Sequence, residues 1–381
     1  MKRAIKVTAD SDIPFLKGLI EPFAEIEYLK GSEITRERIM GSDALFIRTR
    51  TKCNSELLQG SNVRFIASAT IGSDHVDVEW CKEAGIHFSN ASGCNAWGVV
   101  QYVITSIFYV FDKRGESPEG KTLGVVGAGN VGERLASLAE RVGFKVLRCD
   151  PPLKSLIQND PGYFANNIEG PDRSHLSERD FYPLSYLLEH SDIVSVHVPL
   201  TAMTWDMADD RFFSAMKSGA MFINSSRGEV VNEKALIKYS GALSGIVIDV
   251  WRNEPDINTE LMKITDIATP HIAGYSIEGK INATRMTVNS FGDYFKIREL
   301  SDLIIDYPPG RELLFKPSSD SEPFVNLSNL IFSLYDIGED SKILKESPDI
   351  FETIRNGYSY REEYSEEVKG MFDSIIKNEY V

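Results

Sequence analysis

Apolar and polar positions follow two rhythms along this chain. Short apolar, β-branched runs stand at residues 4–8, 44–48, 64–68 and 86–90. Their length and residue types are those of buried strands. Between them, residues 13–23 (IPFLKGLIEPF) and 77–85 (DVEWCKEAG) carry helical character. Strands alternating with helices predict a parallel sheet. A second series opens at residues 122–127 (TLGVVG), and the stretch after it sets Leu135, Leu138, Ala139 and Val142 on one helical face. Residues 145–150 (KVLRCD) read as the next strand, and a polar stretch at about 153–180 reads as loop or insertion. Four more apolar runs follow at 192–200, 220–226, 245–251 and 266–271, each flanked by turn signals. The text after Tyr275 is helical through about residue 297. From about 300 onward the alternation ends and the chain turns acidic and rich in Tyr and Phe, which predicts a separate C-terminal module. The run 99–111 (VVQYVITSIFYVF) is too short and too polar to span a bilayer and reads as a buried helix.

Composition narrows the classes. A chain of 381 residues predicts two or three domains, and 42% apolar with 10% aromatic residues describes a packed globular protein. The net charge of -15 argues against nucleic acid and against an anionic membrane surface as partners. An anionic small molecule would need basic residues gathered locally. Cys53, Cys81, Cys94 and Cys149 show no metal-ligand or CxxC spacing, so reduced thiols, a cytoplasmic protein and no metal are expected. The start, MKRAIKVTADSD, lacks the apolar core of a secretory leader.

Residues 127–132 (GAGNVG) form a GxGxxG after an apolar strand and at the start of an amphipathic helix, with Asp150 ending the next strand. That context turns a weak hexamer into a dinucleotide fingerprint. Gly127 suits a tight turn, Gly129 a close approach of diphosphate to backbone, and Gly132 close helix–strand packing. Asp150 suits ribose hydroxyls and repels a 2′-phosphate, and Pro151 stands where a basic residue would clamp one. NAD is therefore favoured over NADP.

Three later strand ends carry polar groups. The first ends in Asn224, Ser225, Ser226 and Arg227; the second in Asp249, with Glu254 shortly after; the third in His271, one of six histidines. In a doubly wound sheet, ligands bind outside the carboxyl ends of the strands, so these groups are expected at one crevice. Hydride chemistry on an alcohol needs a base, a partner that orients it, and a cation for a carboxylate. His271, Glu254 and Arg227 are of those types.

The stretches GAGNVG…D, NSSRGEVVNEKAL, DVWRNEPDIN and TPHIAGYSIEGK resemble the D-isomer-specific 2-hydroxyacid dehydrogenases over most of residues 1–295. The resemblance implies an α/β protein of two doubly wound parallel-sheet domains. Residues 1–95 and 275–297 would form a flavodoxin-like substrate domain, and 96–274 a Rossmann NAD domain. Residues 298–381 would add an α+β module for homodimer formation. It implies Arg227, Glu254 and His271 as catalytic residues. The NAD contacts it implies are Gly127, Gly129, Asn130, Val131, Gly132, Asp150, Val198 (by backbone alone), Ser225, Ser226, Arg227, Asp249 and Gly274. Thr49, Thr70 and Tyr275 match substrate contacts.

Further stretches, among them RTRTKCNSELL and HIAGYSIEGK, resemble a branch of the family that oxidises a phosphorylated 2-hydroxy acid in vitamin B6 synthesis. The basic cluster Arg48, Arg50 and Lys52 suits such an anion, and alternation would put Arg48 and Arg50 on one face, with Arg48 at the phosphate. Arg355 and Arg361 are candidates to reach a neighbouring subunit's site. Two readings stay open beside this one: a dehydrogenase of the phosphoglycerate or glyoxylate type, and a non-enzymatic NAD-binding regulator.

Overall fold

The computed structural model describes residues 3–160, 163, 170–307 and 313–379. The chain forms two compact units, Met1–Asn95 with Ser276–Pro309, and Ala96–Tyr275 with Gly310–Val381.

The first unit holds strands β1 (Ile5–Asp10), β2 (Ala24–Leu29), β3 (Ala44–Ile47), β4 (Phe65–Ser68) and β5 (His87–Asn90), in the order β2-β1-β3-β4-β5. All neighbours are parallel. Every residue of β3 and β4 is buried, as expected of strands covered on both faces. Helix Ile277–Phe295 covers one face, with the Phe291 ring edge-on to Phe46 at 5.3 Å. Ile39, Leu58 and Cys81 fill the other.

One expectation fails here, and one strand went unread. Residues 13–23 are turns, not helix. Pro14 and Pro22 cannot sustain a helical ladder, and Phe15 (φ 60°) and Gly18 (φ 91°) are left-handed. The strand β2 that follows carries Glu at alternate positions and has only one fully buried residue, so its apolar signal is faint.

The second unit holds β6 (Thr122–Val126), β7 (Lys145–Cys149), β8 (Ile193–Val196), β9 (Met221–Asn224), β10 (Gly245–Ile248) and β11 (Ile267–Ala268), in the order β11-β10-β9-β8-β6-β7. All neighbours are again parallel. The chain reverses direction across the sheet between β6 and β8, the switch point where such sheets open a crevice. Helix Ala96–Lys113 packs on one face and is almost wholly buried, as its apolar run predicts.

The polar stretch after β7 is not all loop. Asp150 caps a helix over Pro151–Asn159, accepting the Leu153 N–H at 3.0 Å, and proline at the first turn loses no needed donor. Much of residues 161–169 lies outside the described residues. Within β7, Arg148 is buried and bonds both oxygens of the fully buried Glu133, at 2.8 and 2.9 Å. A buried charge persists only with such a partner.

The C-terminal segment corrects the sequence reading twice. Among its described residues it is helical, over Pro323–Leu334, Ile337–Glu346, Phe351–Asn356 and Glu366–Ile376, and no strand occurs. It also does not stand apart. Leu327, Leu330, Ile331, Phe372 and Ile375 join the core of helix Ala96–Lys113, and the Ser341 hydroxyl accepts the Ala268 N–H of edge strand β11 at 3.0 Å. The spacing of 327, 330 and 331, and of 368, 372 and 375, is helical once read in register. All four cysteines are free and buried.

Because Phe372 is fully buried in that shared core, Phe372→Ala should destabilise the second unit as a whole. The expected loss is about 3–5 kcal/mol, seen as one shifted calorimetric transition. An early separate transition for the C-terminal helices, with the rest unmoved, would contradict a shared core.

Candidate active site

The loop Gly127–Gly132 is shaped by what a side chain would strike. Gly127 has φ 92°, and a Cβ there would lie 2.6 Å from the His197 carbonyl oxygen. A Cβ on Gly132 would collide with the Gly127 carbonyl. At Gly129 the same construction meets nothing within 4 Å. The first two glycines are therefore required by the fold, whereas Gly129 faces open space. Helix Asn130–Arg141 begins there without a side-chain cap, which leaves its N-terminal end suited to an anion. Asn130 and Val131 in its first turn are half-buried, and the Val198 side chain packs at Gly127.

Asp150 Oδ2 accepts the Ala128 N–H at 2.9 Å, so the acidic residue also fixes the glycine loop. Two arginines that motif spacing does not reveal stand here. Arg173 donates to the Ala128 carbonyl at 3.2 Å, and Arg134 donates to the Asn130 carbonyl at 2.7 Å.

The loop after β11 presents His271. Its φ of 58° is left-handed, a conformation that costs a non-glycine residue about 1–3 kcal/mol. The strain is held from below. Fully buried Asp249 accepts Thr269 Oγ1 at 2.7 Å and the N–H groups of Ile272 at 2.8 Å and Ala273 at 3.0 Å, while its own carbonyl accepts the His271 N–H at 2.7 Å. Burial pushes the Asp249 carboxyl up, and the nearby His271 with these donors offsets only part of that. Asp249 was expected as an NAD contact; here both carboxylate oxygens are engaged in shaping the His271 loop. Trp251 and Thr269 extend the support, with the indole N–H donating to the Thr269 carbonyl at 2.9 Å.

His271 Nδ1 lies 2.9 Å from Glu254 Oε2. An ionised carboxylate only accepts, so Nδ1 carries the proton and Nε2 is left basic. Glu254 Oε1 accepts the Trp251 N–H at 2.9 Å. Burial alone would raise the Glu254 carboxyl; the His271 charge and hydrogen bond, the Trp251 N–H and the Arg355 charge hold it below its ordinary value. Glu254 is thereby kept anionic opposite the imidazole.

Arg227 enters from the end of β9. Asn224 Nδ2 donates to the Arg227 carbonyl at 2.9 Å, and Asn224 Oδ1 accepts the Ser226 N–H and hydroxyl at 3.1 and 2.8 Å. Gly228 follows because a Cβ would strike the Trp251 backbone, so the loop after β9 lies directly on the loop after β10. Arg227, Gly228, Trp251, Glu254 and His271 consequently line one pocket. The Ser225 hydroxyl nearby is buried with no partner among the described residues, an orphaned donor that a ligand group would satisfy. Gly274 and Tyr275 continue the His271 loop, and both are half-buried.

In the first unit, Arg48, Thr49 and Thr70 follow the ends of β3 and β4. Arg48 donates to the Asp12 carbonyl at 3.0 Å, and the Thr70 hydroxyl meets Ser68 Oγ at 2.7 Å. Because β3 ends at Ile47, Arg48 and Arg50 lie in a turn and strand alternation does not align them.

Arg355 and Arg361 are both engaged within their own chain. Arg355 Nη1 lies 3.7 Å from Glu254 Oε2, and its Nε donates to the Tyr275 hydroxyl at 3.2 Å. Arg361 is buried and donates to the carbonyls of Gly98 at 2.9 Å, Ile272 at 3.0 Å and Ala273.

Residues 109–273 match the model of the D-isomer specific 2-hydroxyacid dehydrogenase, NAD binding domain. An erythronate-4-phosphate dehydrogenase of Bacteroides thetaiotaomicron is 40% identical over 94% of this chain and 97% of its own. The chain belongs to the D-isomer-specific 2-hydroxyacid dehydrogenase family. A namesake from Escherichia coli O1:K1 / APEC is 35% identical over 95% of this chain and 93% of its own. Among solved structures, an NAD+-bound 3-phosphoglycerate dehydrogenase of Entamoeba histolytica has a TM-score of 0.63 at 24% identity, covering 80% of this chain and all of that one, a likeness of fold. As a member of the family, this dehydrogenase is an NAD-dependent oxidoreductase acting on a hydroxyl group. The open face at Gly129, the uncapped helix start, Asp150 and the orphaned Ser225 hydroxyl all fit NAD.

Gly129→Ala should fold normally yet bind NAD at least about tenfold more weakly, a loss of about 1.4 kcal/mol, if the open face at Gly129 receives the diphosphate as the fingerprint expects. Gly132→Ala should instead lose about 3 kcal/mol of stability through overpacking. Calorimetry with NAD titration separates the two, and unchanged affinity in Gly129→Ala would contradict the assigned path.

Proposed function

We propose that this protein oxidises 4-phospho-D-erythronate at C2 to 2-oxo-3-hydroxy-4-phosphobutanoate with NAD, as an erythronate-4-phosphate dehydrogenase in the synthesis of vitamin B6. The observation that carries the chemistry is the 2.9 Å contact between His271 Nδ1 and Glu254 in a pocket that also receives Arg227. The near-full-length likeness to dehydrogenases of that name supports the substrate.

The loop Gly127–Gly132 with Asp150 would hold NAD, which would supply the hydride acceptor for C2. His271 Nε2 takes the C2 hydroxyl proton, and Glu254 stabilises the imidazolium that results. The Arg227 guanidinium holds the carboxylate with a fixed fork of donors and sets C2 in place. Arg48, Thr49, Thr70 and Tyr275 contact the rest of the substrate, with Arg48 at the phosphate. Asp249 serves the nicotinamide side through the loop it organises.

We read the protein as a cytoplasmic homodimer. Four buried free cysteines support a reducing compartment, and no helix among the described residues is long and apolar enough to cross a membrane. The C-terminal segment is the dimer surface in this reading.

Purified protein should form NADH from 4-phospho-D-erythronate with kcat/KM well above that for 3-phosphoglycerate or glycolate. His271→Ala should lose about a hundredfold or more in kcat while still binding NAD. Preference for another 2-hydroxy acid would refute the substrate. NAD binding without turnover on any of them would favour a regulator.

A further inference from the structure

Helix Phe351–Asn356 brings a third charged group to the His271–Glu254 pair. Arg355 faces the same Glu254 oxygen that accepts from His271, and the same guanidinium bonds the Tyr275 hydroxyl. Its own side chain is 20% exposed, and Glu352 pairs with it at 3.5 Å from the preceding turn. Arg361, six residues on, gathers the carbonyls that follow His271. The C-terminal segment thus touches both the loop that carries the base and the carboxylate that orients it.

We propose that Arg355 is a positioning residue for the reaction, fixing Glu254 and Tyr275 around His271 from the C-terminal segment of the same chain. This rests on the reading of His271 and Glu254 as the chemical pair. A guanidinium suits the task because one nitrogen donates to the Tyr275 hydroxyl while another stays in ion-pair range of Glu254. At Glu254 its charge lies 3.7 Å from the oxygen that accepts from the imidazole, so it tempers the carboxylate's pull on the imidazole proton. At Tyr275 it holds the hydroxyl oxygen as an acceptor in a fixed place. The charged groups around the imidazole are Glu254 from the loop after β10, Asp249 beneath the backbone, Arg227 across the pocket, and Arg355 with Glu352 behind Glu254.

The test compares Arg355→Gln, Arg355→Lys and His271→Ala in the full-length enzyme. Thermal melting and NAD titration come first, to show each variant folded. Arg355→Gln should lose roughly 10- to 100-fold in kcat through misplacement of the pair. The acid limb of its kcat/KM profile for oxidation should move up by roughly half a pH unit, because Glu254 then faces the imidazole uncompensated. Arg355→Lys keeps the charge but not the fork, so it should restore the limb and only part of kcat. Wild-type kcat and limb in Arg355→Gln would overturn the proposal. So would a fall in kcat with the limb unmoved in both variants, the mark of a purely structural role. A large rise in KM with kcat and limb intact would make Arg355 a substrate contact instead, and would also overturn it. Should Arg355→Gln not fold, the limb and kcat of Arg355→Lys decide: wild-type kcat together with a shifted limb is the reverse of what is expected. Full activity in His271→Ala would refute the underlying reading itself, which separates that failure from failure of the role given to Arg355.

Discussion

The buried carboxylate of Asp249 is the interaction on which the site depends. It sits at the end of β10 and accepts from Thr269, Ile272 and Ala273, and its backbone carbonyl accepts from His271. Without those acceptors, the first turns after β11 would leave buried N–H groups unpaired, each costing about 1–3 kcal/mol. Nor would anything hold His271 in a left-handed conformation. The burial that raises the carboxyl of Asp249 is thus tolerated because the loop needs an acceptor at that spot.

Around that anchor, parallel strands deliver side chains from distant sequence to one place. β9 ends in the Arg227 loop, β10 in Asp249 and then Glu254, β11 in His271, and Gly228 lets the first loop lie against the second. On the far side of the sheet's switch point, Gly127 and Gly132 fold the loop tightly while Gly129 leaves it open to a ligand. Specificity for hydride transfer thus arises from strand order, with each polar group placed by the strand that precedes it.

Much of this was legible from residue type and spacing. The glycine hexamer, Asp150 and the polar strand ends announced the second unit, because strands buried on both faces stand out as apolar runs. The C-terminal segment was harder. Its Phe and Tyr residues look like an independent core until Leu327, Leu330 and Phe372 are seen inside the core of helix Ala96–Lys113. Long-range burial of this kind leaves no local period of its own. The same limit hid Arg173 at the glycine loop and the partners that Arg355 and Arg361 meet within their own chain. A long side chain, on a helix as at Arg355 or on a loop as at Arg173 and Arg361, says nothing about which distant carboxylate or carbonyl it meets. Strand alternation also misled at Arg48 and Arg50, since the period of two stops where the ladder stops.

Hydride transfer by this mechanism requires His271 to point at C2 when both ligands are present. A crystal structure of the dead-end complex with NADH and 4-phospho-D-erythronate measures this directly. The expected result puts His271 Nε2 within about 3 Å of the substrate's C2 oxygen, with Nδ1 still on Glu254 and the carboxylate on Arg227. An imidazole turned away from C2, or another base in hydrogen-bond reach of that oxygen, would contradict it.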